Sequence, residues 1–171
     1  EGSNDIVVLL ENSEQSSRWY PGAGLYRKVR HITQPQVHVP VWGTYVTTPH
    51  IEKDHAVVSV RTKIEGVEKG SAVTLRTRIL DAEGHVVACA TDTRLLHFGE
   101  IEQTLTVENP TLWSPEDPVM YFVETEVYAG GSVNTDWNMD RPEISIADGT
   151  VPCDKVSTRF GFRTIEVIPD K

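Results

Sequence analysis

Apolar and polar residues alternate with a period of two through the middle of the chain. Val58, Val60, Thr62 and Ile64 fall on one side of a segment whose other side carries Ser59, Arg61 and Lys63. Val73, Leu75, Thr77 and Ile79 alternate with Thr74, Arg76 and Arg78 in the same way. A period of two puts one face of a segment in a core and the other in water, which predicts antiparallel strands. Asp81-Ala82-Glu83-Gly84 separates the second run from His85–Ala90 and predicts a hairpin turn. Residues 101–107, 119–128 and 155–168 read as further strands, and 143–146 as a short edge strand. No segment carries an i, i+3, i+4, i+7 apolar stripe over three turns, so no helix is expected.

Short strands spaced by turns, with no helices between them, predict an all-β antiparallel sandwich. About seven strands fit residues 44–168, close to the count of an immunoglobulin-like domain. The first 43 residues read differently. They hold one strand (Ile6–Leu10), a polar stretch, an aromatic-glycine turn (Trp19–Gly24) and a second strand (Leu25–Ile32). Two strands alone cannot bury a core, so this segment is expected to be the tail of a preceding domain. Pro35 and Pro40 then punctuate an expected linker. Residues 129–154 form a long polar insertion, a length that inside a compact domain marks a mobile or functional loop.

The composition is that of an ordinary globular domain, with 39% apolar and 24% charged residues. The net charge of −9 disfavours nucleic acid and anionic membranes as partners. No apolar run has the length of a membrane span. Nothing in the chain selects between periplasmic, secreted and cytoplasmic settings. Cys89 and Cys153 do not make a disulfide framework and are expected as free thiols, with Cys89 buried in its apolar run. The histidines (31, 38, 50, 55, 85 and 97) are scattered singly, and the acidic loop with Asp136, Asp140 and Asp148 lacks the ordered pattern of an EF-hand. No metal site is therefore expected, and no phosphate loop or dinucleotide fingerprint calls for a cofactor.

Three ordered motifs carry more information. Residues 17–27 read Ser-Arg-Trp-Tyr-Pro-Gly-Ala-Gly-Leu-Tyr-Arg, residues 108–121 Glu-Asn-Pro-Thr-Leu-Trp-Ser-Pro-Glu-Asp-Pro-Val-Met-Tyr, and residues 159–166 Arg-Phe-Gly-Phe-Arg-Thr-Ile-Glu. Pro110 and Pro115 suit no central strand and bracket Leu112 and Trp113, which are expected to fold inward as a plug. Phe160 and Phe162 share one face of a terminal strand, with Arg159 and Arg163 on the other. The motifs, in this order, resemble family two glycoside hydrolases such as β-galactosidase, β-glucuronidase and β-mannosidase. The passage Val41–Pro49 resembles the junction between that family's first two domains. Residues 129–154 are the main departure, because the family has a short turn there.

The resemblance implies that residues 1–43 are the C-terminal tail of a sugar-binding jelly roll plus linker, and 44–168 the immunoglobulin-like second domain. It also implies that both carboxylates of catalysis belong to a (β/α)8 barrel following the Phe-Gly-Phe-Arg strand. The expected partners are the jelly roll, that barrel, a carbohydrate substrate of the complete enzyme, and a further copy of the same chain. By the same resemblance, Arg18, Trp19 and Tyr20 would border the sugar pocket of the complete enzyme, and Arg163 would dock the next domain. The chain itself is expected to be inactive. A carbohydrate-binding module built on Trp19, Tyr20, Trp42 and Trp137, or a cell-surface adhesion-type sandwich, is the alternative.

Overall fold

A computed structural model of the chain describes residues 5–11, 24–95, 99–129, 133–136, 143–146 and 149–165. Its strands are β1 (Thr44–Ile51), β2 (His55–Lys63), β3 (Ala72–Leu80), β4 (Val86–Leu95), β5 (Glu100–Glu108), β6 (Tyr121–Ala129), β7 (Val133–Asp136), β8 (Glu143–Ile146) and β9 (Asp154–Phe160). Among the described residues there is no helix. One sheet has the order β1-β2-β5 and the other β4-β3-β6-β9, all neighbours antiparallel. The protein is an all-β sandwich. A separate hairpin, β7-β8, lies within the polar insertion, and the predicted edge strand at 143–146 is its second arm.

The alternation foreseen in the sequence sets the inward faces. Val58, Val60, Thr62 and Ile64 are buried, as are Val73, Leu75, Thr77 and Ile79. The core divides along its length. One cluster gathers Ala56, Val58, Val60, Ile79, Leu105, Val107, Tyr121, Val123 and Phe162. The other gathers Val39, Ile64, Val73, Leu75, Ile101 and Val127. Between them lies a belt of buried polar side chains, Thr62, Thr77, Gln103 and Thr125, one each from β2, β3, β5 and β6. Thr77 donates to Gln103 Oε1 at 2.6 Å across the two sheets, and Gln103 Nε2 donates to Asp92 Oδ2 at 3.1 Å. A paired polar group in a core fixes which strands face each other, because any other register leaves it unsatisfied.

By contacts the chain falls into two units, 1–33 and 34–171. In the first, the described stretches 5–11 and 24–33 carry no strand, in contrast to the expectation for Ile6–Leu10 and Leu25–Ile32. Their apolar side chains are exposed, Leu9 to 90%. Alternation alone does not make a strand. It needs a ladder partner and a surface to bury against.

The segment 34–43, expected as a linker, packs into the sandwich. Val39 is buried in the second cluster and its N–H donates to Asp154 Oδ2 at 2.8 Å. His38 and Glu65 exchange both backbone hydrogen bonds. Gly66, with φ +77°, lets this happen, because a Cβ there would sit 1.7 Å from the Gln36 carbonyl oxygen.

Two further expectations fail. Cys89 is exposed, because it pairs with Arg78 on the outward face of its sheet. Leu112 is 50% exposed rather than part of a plug. Both cysteines are free.

Candidate functional site

The connection from β5 to β6 crosses the end of the sandwich where the aromatic residues collect. It starts at Asn109, whose positive φ of 46° turns the chain out of β5. The Thr111 N–H then donates to the Tyr121 hydroxyl at 3.0 Å, and the Trp113 N–H to the Phe162 carbonyl at 2.8 Å. Phe162 is fully buried and meets Tyr121 and Phe160 edge-on, at centroid separations of 4.8 and 5.1 Å. Such pairs contribute beyond the area they bury.

On this base sits a small surface site. Trp113 lies half-buried against Gly161, where a Cβ would come within 3.0 Å of the tryptophan Cβ. The Arg163 guanidinium covers the indole at 4.9 Å from its centroid. With Met120 these residues line a cavity of about 270 Å³. An arginine held over an indole keeps its outward N–H groups free for a carboxylate or carbonyl. The site therefore offers a flat aromatic edge, a soft thioether and a fixed cation. Of the residues singled out in the sequence, Arg163 lies here. Arg18, Trp19 and Tyr20 lie outside the described residues.

Glycosidic hydrolysis would need two carboxyl groups, one held protonated and one ionised, flanking a sugar. Glu124 and Glu126 are neighbours on β6, yet their setting is different. They stand on the outward face of the four-stranded sheet, inside a network of cations. Arg76 Nε donates to Glu126 at 2.7 Å, Arg78 to both glutamates at 3.0 and 2.8 Å, and Lys155 lies 3.2 Å from Glu124. Tyr128 donates to Glu126 at 2.9 Å. Burial pushes the Glu126 carboxyl up, but the hydrogen bonds from Arg76 and Tyr128 and the charges of Arg76 and Arg78 outweigh it and hold its pKa below the usual range. The same burial, with Glu126 beside it, raises the Tyr128 phenol. A carboxylate kept ionised by two guanidiniums is a structural clamp and a poor proton donor.

A third feature escaped the sequence reading. His50, Glu52 and His55 come together at the β1–β2 hairpin, with their side-chain ligand atoms within 4.8 Å of one another. His-x-Glu puts two residues on one strand face, and the turn returns His55 opposite Glu52. A search for helical spacing misses this arrangement.

The fold and these surfaces define an antiparallel β-sandwich of immunoglobulin type, with a clamped charge network on one outer face and an arginine-capped tryptophan at one end. The model of Glycosyl hydrolases family 2 matches residues 37–140, and the chain belongs to that family. It is 36% identical over 129 residues to a beta-galactosidase of Bacteroides ovatus, covering 72% of this chain and 15% of that protein. It is 30% identical over 158 residues to a beta-glucuronidase of Formosa agariphila, covering 77% of this chain and 16% of that protein. A solved family 2 member from Bacteroides cellulosilyticus superposes with a TM-score of 0.62 at 28% identity, over 78% of this chain and 16% of that one. The chain thus spans about one sixth of the length of these relatives.

Proposed function

We propose that this chain is a non-catalytic scaffold domain of a larger β-galactosidase-like glycosidase, which sets a sugar-binding jelly roll against a catalytic (β/α)8 barrel. One observation carries the reading: Glu124 and Glu126, neighbouring acids on β6, are locked to Arg76, Arg78 and Lys155 on a sheet face. Held in these ion pairs on a sheet face, Glu126 stays ionised and makes a poor acid catalyst. The names of the relatives and the small share of each that this chain spans support the same reading.

In this reading Arg163, propped by Trp113, docks the neighbouring domain. Residues 1–43 are the jelly-roll tail and its junction. Arg18, Trp19 and Tyr20 border the sugar pocket once the whole enzyme is assembled. The test is direct. The 171-residue chain is expected to give no turnover of nitrophenyl-β-galactoside or nitrophenyl-β-glucuronide, whereas the parent protein hydrolyses at least one of them. Turnover by the purified chain would overturn the proposal.

One observation favours a second reading, a carbohydrate-binding module. Trp42 is 96% exposed and adopts a positive φ of 64° in the turn closed by Gly43 N–H on the Pro40 carbonyl. A bulky residue in that region is strained by roughly 1–2 kcal/mol, and a bare indole is a ready platform for a sugar ring. Tryptophan fluorescence titrated with galactose and lactose separates the two readings. A saturable shift lost in Trp42→Ala favours the module, and an unresponsive signal favours the scaffold.

A further inference from the structure

The tip of the β1–β2 hairpin carries groups that none of the functions above uses. The turn is tight: the Glu52 N–H donates to the His55 carbonyl at 2.8 Å, leaving Lys53 and Asp54 as the loop. Asn109 N–H donates to the Asp54 carbonyl at 2.6 Å, which ties the loop to the end of β5. A register shift between Thr47 and His50 then sets His50 opposite Val57. His50, Glu52 and His55 consequently face the same side. Glu108 pairs with His55 from β5 and adds a further carboxylate to that side.

The polar contacts at the tip are those of a ligand set. His50 Nε2 lies 2.8 Å from Glu52 Oε1. That contact is a hydrogen bond, and opening it to the roughly 3.3 Å between two donors on one tetrahedral ion with bonds of about 2.0–2.1 Å takes only a small side-chain movement. His55 Nδ1 lies 2.9 Å from Asp54 Oδ1. A carboxylate on one ring nitrogen fixes the tautomer and leaves the other nitrogen free to coordinate, the usual second layer of a histidine–metal site. The two rings stand 6.0 Å apart at 50°. A small rotation of two accessible side chains closes them onto one ion.

We propose that His50, Glu52 and His55 bind a divalent first-row transition cation of the zinc type, with water in the remaining positions and Asp54 orienting His55. Two imidazoles with one carboxylate select zinc, nickel or copper over the hard cations magnesium and calcium, which require oxygen donors. The surrounding charge favours a cation, since Asp54 and Glu108 add to Glu52, and Lys53 is the one basic residue of the loop.

The hairpin of Asp81, Glu83 and His85 is the internal control. It brings two carboxylates and one histidine within the same reach. There, however, Asp81 Oδ1 accepts the backbone N–H groups of Glu83 and His85 at 3.1 and 2.8 Å, and its other oxygen meets the His85 ring at 3.1 Å. That carboxylate is committed to shaping the turn, and only one imidazole is present.

The experiment is isothermal titration of the untagged 171-residue chain with ZnCl2 and NiCl2, in a Cys89→Ser/Cys153→Ser background so that thiols cannot bind metal. One saturable site is expected. His50→Ala and His55→Ala should each weaken it more than about 10-fold, and Asp54→Asn by about 10-fold. His85→Ala should leave it unchanged, as should excess magnesium or calcium. All these side chains are solvent-accessible, so circular dichroism should report an intact fold. Failure to saturate, binding that survives His50→Ala/His55→Ala, or binding lost in His85→Ala each overturns the proposal.

Discussion

The two ends of the sandwich share a backbone plan and differ in how they are sealed. At one end the core is aromatic, with Phe162 meeting Tyr121 and Phe160 edge-on beneath the 109–120 connection. At the other it is aliphatic, with Ile64, Val73, Leu75, Ile101 and Val127 capped by Val39 from a segment outside the strands. The belt of Thr62, Thr77, Gln103 and Thr125 separates them. The aromatic end is closed by rings from β6, from β9 and from Phe162 just past the end of β9. The aliphatic end is closed by a strap, and the strap depends on a glycine. The end sealed by large rings carries the exposed functional groups, Trp113 with Arg163 and the His50–His55 hairpin.

The largest expected effect is at the aromatic end. Phe162→Ala removes a fully buried ring touching two others and should lower stability by about 4 kcal/mol in urea titrations. The cavity should also loosen the packing beneath Trp113, whose backbone N–H is bound to the Phe162 backbone carbonyl, seen as a shift in tryptophan emission. If Val39→Ala proves equally destabilising, the contrast between ring-sealed and strap-sealed ends is wrong. Its expected cost is only about 2 kcal/mol.

Gly66→Ala tests the strap. The added methyl collides with the Gln36 backbone, and the φ of +77° is strained for any side chain. A loss of about 3 kcal/mol is expected, with hydrogen exchange rising first at the His38 and Glu65 amides. Gly70, at φ +85° with open space around it, is the matched control. Gly70→Ala carries only the dihedral strain, so its cost should be clearly smaller.

Glu126→Gln acts on both ends together, because Arg76 and Arg78 flank Thr77 of the belt on the outer face. Removing the charge leaves two part-buried guanidiniums short of a partner. The expected cost is about 2 kcal/mol at pH 7. The sign with pH follows from the depressed carboxyl. Its contribution is full above the ordinary glutamate range of about 4.3–4.5 and is lost as pH falls through the lower folded-state value. The difference between the parent chain and Glu126→Gln should therefore be flat from pH 6 to 8 and shrink below about pH 4. A difference that grows on acidification would contradict the network.

Much of this fold is legible in the residue pattern, and the reasons are local. Period-two alternation assigns Val58 to Ile64 and Val73 to Ile79 to an inner face without knowledge of their partners, and Asp81 with Gly84 marks its turn by chemistry alone. What escaped depends on pairing. Cys89 looks buried in an apolar run, yet its register opposite Arg78 turns it outward. Val39 looks like linker until Gly66 admits it to the core. His50 and His55 look isolated until the hairpin closes. The Arg163 site was legible as an arginine on the far face of an aromatic strand, whereas its tryptophan support was not.

The smallest effects lie in the belt, and they decide whether it is one device or two. Thr77 and Gln103 are bonded to each other, while the buried hydroxyls of Thr62 and Thr125 have no hydrogen-bond partner among the described residues. An unpartnered buried hydroxyl destabilises, and valine has nearly the same shape without it. Thr62→Val and Thr125→Val should therefore raise stability, each by about 1 kcal/mol. Thr77→Val should lower it by a similar amount, because it strands the Gln103 amide oxygen between the sheets. Opposite signs at chemically identical substitutions would show that a single cross-sheet hydrogen bond separates the two ends, with the flanking threonines as fillers. Equal losses at all three positions would mean that the belt works as one network and that the two ends are coupled through it.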